Sequence, residues 1–139
     1  MSSLSFAIST IGRPTLLSTI ESIVEAREFA TNDVEICIFA NGSLDKEISK
    51  KLEEFNSKYE NFIYVKSGTK LPIWESRREG LRLAQKDFVW ILGDDDLILP
   101  GAITELFAVI EKTNPQLISL NGIWTDYKGK SGPLVKSNA

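Results

Sequence analysis

Asp94, Asp95 and Asp96 stand in an unbroken row behind Gly93, and the five residues before that glycine, Phe88 to Leu92, are all apolar. Adjacent carboxylates repel one another, and each resists leaving water. A divalent cation relieves both penalties. The chain has no histidine and one cysteine, Cys37. Any metal must therefore be held by oxygen, which points to Mg²⁺, Mn²⁺ or Ca²⁺. Two aspartates with one residue between them can aim at one ion, so Asp94 and Asp96 are the expected metal pair. An EF-hand is excluded, because its later positions fall on Ile98 and Leu99. The structural alternative is an acidic cap, with Asp96 near the start of the next helix; a cap needs one aspartate and not three.

Arg77 is the second candidate. Ile73, Arg77, Leu81 and Ala84 share one stripe at helical spacing, so an arginine interrupts the face expected to pack on a sheet. The competing explanation is a stem that packs while the guanidinium reaches water. Gly80, one turn on, is expected to let helix and sheet approach closely. Residues 66–86 hold six basic and two acidic side chains, a local net of +4, which suits a diphosphate but also an ordinary solvated helix. Asn41-Gly42-Ser43 combines backbone freedom with groups able to bond a sugar or base edge; most such tripeptides are simply turns. Thr10 and Arg13 form a similar polar turn. Trp74, Trp90 and Trp124 are expected in or beside the core.

The elements that must position these residues follow from periodicity. Leu4 to Ser9 alternates as a strand. Pro14 sits where a first-turn proline starts a helix, and Leu16, Ile20, Ile23 and Val24 continue it to about 29–32. Val34 to Phe39 is a second strand. Ile48, Leu52, Phe55 and Tyr59 mark an amphipathic helix whose other face is charged and solvated. Asn61 to Val65 is a third strand, and 66–72 a loop. A third helix is expected from about Ile73 to Gln85. Phe88 to Leu92 reads as a strand buried on both faces. Ile103, Leu106, Phe107 and Ile110 mark a fourth helix, and Gln116 to Leu120 a fifth strand. From Asp126 the chain turns polar, with little periodicity. This alternation predicts an α/β fold: a three-layer sandwich with a mostly parallel central sheet and helices on both faces. In such sheets ligands bind beyond the carboxyl ends of the strands, where strand order reverses.

The totals narrow the classes further. A chain of 139 residues, 42% hydrophobic and 25% charged, suits one globular domain. The net charge of −3 offers no basic field for nucleic acid. No apolar run approaches a membrane span, and the start lacks the basic region of a signal peptide. The expected location is the cytoplasm, including the inner face of a membrane.

Four segments, taken in order, resemble a family 2 glycosyltransferase with the GT-A, Rossmann-like fold. Ser-Thr-Ile-Gly-Arg-Pro (9–14) is similar to the family's Pro-Thr-Tyr-Asn-Arg-Pro. Ala-Asn-Gly-Ser-Leu-Asp (40–45) is similar to Asp-Asp/Asn-Gly-Ser-Thr-Asp. Ser-Arg-Arg-Glu-Gly-Leu (76–81) is similar to Ala-Arg-Asn-x-Gly-Ile. Trp-Ile-Leu-Gly-Asp-Asp-Asp (90–96) resembles the strand that ends in the DXD motif. The resemblance implies transfer of a sugar from a nucleotide-diphosphate sugar to an acceptor, with Mn²⁺ or Mg²⁺, usually with inversion, in polysaccharide or glycan synthesis. It implies donor contacts from Thr10, Ile11, Gly12, Arg13, Asn41, Gly42, Arg77, Asp94 and Asp95, and metal contacts from Asp94 and Asp96. The acceptor, a glycan, a lipid-linked group or a protein, is not specified, and no catalytic residue is identified. Ala40 departs from the acidic residue common near the base. Gly93 stands where a first aspartate often falls. The family's acceptor half normally follows the fifth strand. The donor-binding domain is therefore expected at 1–125, incomplete at its carboxyl end, with 126–139 a tail or the start of an acceptor-binding portion. Little transferase activity is expected of this chain alone.

Three other readings compete. A sugar nucleotidyltransferase also uses a sheet and metal-bound carboxylates, but its Gly-rich loop is missing after the first strand. A receiver-like signalling domain should carry its acidic pair where Ser9-Thr10 stands. A nucleotide-binding module without turnover would share the donor residues.

Overall fold

The alternating apolar segments form a layered sheet in the computed structural model, which describes residues 1–125 and 131–135, with side chains to residue 123. In chain order the elements are β1 (Leu4–Thr10), α1 (Thr15–Glu28), β2 (Val34–Ala40), α2 (Lys46–Lys58), β3 (Phe62–Lys66), α3 (Ile73–Arg82), β4 (Phe88–Ile91), α4 (Ala102–Thr113), β5 (Gly122–Thr125) and β6 (Ser131–Val135). The first four strands make one parallel sheet in the order β3-β2-β1-β4. The chain steps outward from β1 through β2 to β3, then returns to the other side of β1. The reversal point is therefore between β1 and β4.

The two faces of the sheet differ in chemistry. Leu4, Phe6 and Ile8 of β1 and Val34, Ile36 and Ile38 of β2 are buried in a core shared with α1, α2 and α4. Phe6 stacks on Trp90 at 5.1 Å between ring centroids, and Phe55 of α2 meets Phe62 of β3 edge-on. The alternate residues, Ser5, Ala7 and Ser9 with Glu35, Cys37 and Phe39, point to the opposite face. There α3 covers β1 and β2. Its packed face is Ser76 and Gly80. A Cβ at Gly80 would lie 3.7 Å from Phe39 Cβ and 3.9 Å from Ser9 Cβ. The approach is close but would accept an alanine.

The two helices on either side of this loop region start differently. Pro14 already has helical angles (φ −57°, ψ −29°) and leads into α1 as a first-turn proline should. Asp45 caps α2 by accepting the Glu47 N–H at 2.9 Å.

Several expectations are corrected. β4 is an edge strand among the described residues, not one buried on both faces: Val89 is 46% and Ile91 59% exposed, while Phe88 and Trp90 turn inward. α1, α2 and α4 cover one face, but α3 lies over β1 and β2 and leaves this part of β4 open. α3 ends at Arg82 rather than near Gln85, because Leu83 and Ala84 donate to Gly80 and Leu81, tightening the last turn. Gln116 to Leu120 is not a fifth strand. Its apolar residues specified burial but no ladder partner, and Leu117 is 84% exposed. Instead β5 and β6 pair antiparallel as a separate two-stranded sheet. Strand β6 also falls where an aperiodic tail was expected; residues 126–130 and 136–139 lie outside the described residues. Trp74 is 60% exposed rather than in the core; the Trp124 side chain lies outside the described residues.

Candidate functional site

Beyond the carboxyl ends of β1, β2 and β4 lies a cleft of about 660 Å³. It occupies the α3 side of the sheet, where the β1 side chains are small. Ala7, Ser9, Ser76 and Gly80 form its floor, and Ile91 extends it over the uncovered part of β4. The Ser9 and Ser76 hydroxyls bond each other, joining β1 to α3.

At the strand reversal point the acidic turn is tied to β1. Thr10 Oγ1 donates to Asp94 Oδ2 at 2.8 Å and accepts the Gly12 N–H at 2.9 Å. Thr15 Oγ1 donates to the Asp94 carbonyl at 2.9 Å, and Thr19 Oγ1 to the Asp96 carbonyl at 2.7 Å. Arg13 Nε lies 3.7 Å from Asp94 Oδ1 and Arg13 Nη1 3.5 Å from Asp95 Oδ2. Asp94 is thus buried and answered by a hydroxyl and a nearby guanidinium, which offsets its desolvation.

Asp95 and Asp96 behave differently. Both are exposed. Their carboxylates gather over Gly93: a Cβ there would lie 2.9 Å from Asp96 Oδ2 and 3.0 Å from Asp95 Oδ1. The Gly93 N–H donates to Asp96 Oδ2 at 3.2 Å. Glycine therefore leaves room for two carboxylates to converge. Among the described residues no three ligating side chains share a point. The donor set available to a cation is two carboxylates, with further oxygens from water or a bound phosphate. That matches the habits of Mg²⁺ and Mn²⁺. The structure brings Asp95 and Asp96 together, while Asp94, expected to pair with Asp96, turns toward Thr10.

Across the cleft, Asn41 holds the loop at 66–72. Its Oδ1 accepts the Leu71 N–H at 2.7 Å and its Nδ2 donates to the Leu71 carbonyl at 3.0 Å. The amide expected to bond a sugar is therefore used on the chain itself. Gly12 and Gly42 do not line the cleft. Both have positive φ, +88° and +82°, and serve the turns that carry Arg13 and Asn41. Thr10, Ile11, Arg13, Asn41, Arg77 and the three aspartates all line it. Arg77 is exposed and does not interrupt the packed face of α3, because that face is the Ser76–Gly80 stripe one residue around.

Sequence reasoning missed Lys70, Leu71, Ile73, Ser76 and Ile91, which also line the cleft. Lys70 lay in a loop already marked as one that follows a strand, and its positive charge was a usable signal. Ser76 and Ile91 had none: Ser76 is buried where α3 packs on β1, and Ile91 is exposed because α3 leaves that part of β4 uncovered.

A parallel sheet whose cleft joins an acidic turn to basic side chains at the strand reversal accords with the sequence comparison. The profile of glycosyl transferase family 2 matches residues 5–137. The chain belongs to that family. Its relative "Uncharacterized glycosyltransferase MJ1057" of Methanocaldococcus jannaschii is 24% identical over 116 residues, which is 84% of this chain and 39% of that protein. Among solved structures, S. aureus TarS 1-349 superposes with a TM-score of 0.69 at 16% identity, over 82% of this chain and 33% of that one. The same TarS protein in complex with UDP-GlcNAc gives 0.68 at 18% identity, over 82% and 32%. These likenesses establish the GT-A fold for the family 2 chain. It spans well under half the length of each of these proteins. No helix among the described residues is long and apolar enough to cross a membrane.

Proposed function

We propose that this family 2 chain is the donor-binding portion of a glycosyltransferase that takes a nucleotide-diphosphate sugar and a divalent cation. The observation that carries the reading is the cleft itself, in which Arg13, Lys70 and Arg77 face a turn of three carboxylates at the strand reversal point. The TarS structures with UDP-GlcNAc and with UDP support a uridine nucleotide as the first donor to try.

In this reading the nucleotide lies between the 10–13 turn and the loop fixed by Asn41, with its diphosphate toward Lys70 and Arg77. Asp95 and Asp96 hold Mn²⁺ or Mg²⁺ over Gly93. A bound cation of this kind acts as a Lewis acid that neutralises the departing diphosphate. Asp94 positions the turn through Thr10 and Arg13. The small floor residues leave space for the sugar beside Ile91. Among the described residues the only carboxylates lining the cleft are those of Asp94, Asp95 and Asp96, and this reading assigns no residue to acceptor activation. Inversion at the transferred carbon and a role in polysaccharide or glycan assembly are part of the same proposal.

Calorimetry with Mn²⁺ and a panel of nucleotides and nucleotide sugars tests it. UDP or a UDP-sugar is expected to bind, and Asp95→Asn to weaken that binding chiefly when Mn²⁺ is present. Absence of binding by every nucleotide tried would end the reading. Equal affinities with and without Mn²⁺ would remove the metal from it.

A further inference from the structure

Arg13 on the cleft, and Lys66, Arg78 and Arg82 outside it, each have a carboxylate of their own. Arg13 lies near Asp94 and Asp95, Lys66 is 3.1 Å from Glu53, and Arg82 is 3.0 Å from Glu79, with Arg78 at 3.9 Å from the same carboxylate. Lys70 and Arg77 both line the cleft, and among the described residues neither has an acidic partner. Two like charges directed at one concavity repel each other, and an anion between them relieves that repulsion.

The position of Lys70 is built by its surroundings. The next residue, Leu71, is held in both directions by the Asn41 amide. Ser67 Oγ accepts the Gly42 N–H at 2.8 Å and lies 2.7 Å from the Thr69 carbonyl as a donor. A Cβ at Gly42 would come within 3.3 Å of Lys70 Cβ, at a φ of +82° that strains any side chain. The two loops thus pack tightly at Lys70. Asn41 and Ser67 already bond the chain, and neither Ser43 nor Thr69 lines the cleft. What this loop offers the cleft is a positive charge.

We infer that Lys70 is a phosphate-binding residue of the donor site, held toward the diphosphate by the clamp between Asn41 and Leu71. This rests on the donor-binding reading above. Lys70 binds phosphate and not nucleoside, so its removal separates the two parts of the ligand.

The test is titration of the full chain at fixed Mn²⁺ with UDP, inorganic pyrophosphate and uridine, followed by NMR for the weaker ligands. Lys70→Ala is expected to weaken UDP and pyrophosphate by roughly tenfold or more, the usual effect of losing a charged hydrogen bond. Uridine is expected to bind unchanged, and Lys70→Arg to recover most of the loss. Lys70 is exposed, so both variants keep the fold. Undiminished UDP and pyrophosphate binding by Lys70→Ala would overturn the assignment and leave the donor reading standing. An equal loss for uridine would also overturn it, since Lys70 would then be a nucleoside contact or a prop for the loop. Failure of the unmodified chain to bind any of the three would end both.

Discussion

Both ends of the parallel sheet are polar, and they use that polarity in opposite ways. At the amino-terminal ends of the strands the groups answer one another. Glu35 Oε1 accepts from Ser5 Oγ at 2.5 Å and from the Gln85 N–H at 2.7 Å. The Lys86 N–H donates to Ser5 Oγ at 3.1 Å, and Lys86 Nζ pairs with Asp33 at 2.5 Å. Asp87 accepts from the Ser3 backbone and hydroxyl at 3.0 Å each. At the carboxyl ends Asp94 is likewise answered, but Asp95 and Asp96 are exposed, and Lys70 and Arg77 have no acidic partner among the described residues. A polar cluster whose members satisfy one another holds a fold together. One that leaves like charges facing a cleft is arranged for something that arrives from outside.

Breaking the closed end should give the largest effect on stability. Glu35→Ala removes the acceptor for a buried hydroxyl and a backbone N–H, and is expected to lower unfolding free energy by about 3 kcal/mol. Chemical denaturation measures this; a change near zero would show that the cluster does not hold the sheet. Asn41→Ala stands between the two ends in kind. It loses both Leu71 bonds, with an expected cost of about 2 kcal/mol, and should also weaken UDP binding by loosening the loop that carries Lys70. Full stability together with full affinity would contradict the clamp.

Arg77→Ala tests the open end. UDP affinity should fall about tenfold, or roughly 1.4 kcal/mol, while denaturation shifts by less than about 0.5 kcal/mol. A large loss of stability instead would mean that Arg77 belongs to the closed kind. The smallest effect concerns Cys37, on the Glu35 face of β2. Burial, then the Glu35 charge, push its thiol up to about 12 from 9.0. The folded protein should ignore a disulfide reagent at pH 8 and react fully once unfolded. Because the folded value is raised, the stability linked to this thiol is complete below pH 9 and declines as pH rises toward about 12. Rapid native reaction would show that this face opens easily.

The strands and helices were legible where one side chain pattern had one structural meaning. Leu4, Phe6 and Ile8 alternate because one face of β1 meets the oily core. Ile48, Leu52 and Phe55 recur at helical spacing because α2 buries that stripe. Phe88 to Leu92 misled because an apolar run states that burial is favourable, not which neighbours supply it. The same ambiguity made a strand of Gln116 to Leu120, which has no ladder partner among the described residues. Arg77 lines the cleft, but not because it interrupts a packed face: the packed stripe of α3 is Ser76 and Gly80, small residues that apolar periodicity passes over.

The sequence by itself determined the fold class, the order of the loops that meet at one edge, and the presence of an acidic turn there. These depend on local period and chain order, which are properties of a string. Only the tertiary structure decided what each polar group is used for. It committed Asn41 to Leu71 and Asp94 to Thr10, gathered Asp95 and Asp96 over Gly93, and placed Lys70 and Arg77 on one cleft with no counter-charge among the described residues. Those outcomes depend on distances between residues far apart in the chain, and a hydrogen bond or ion pair is decided by distance.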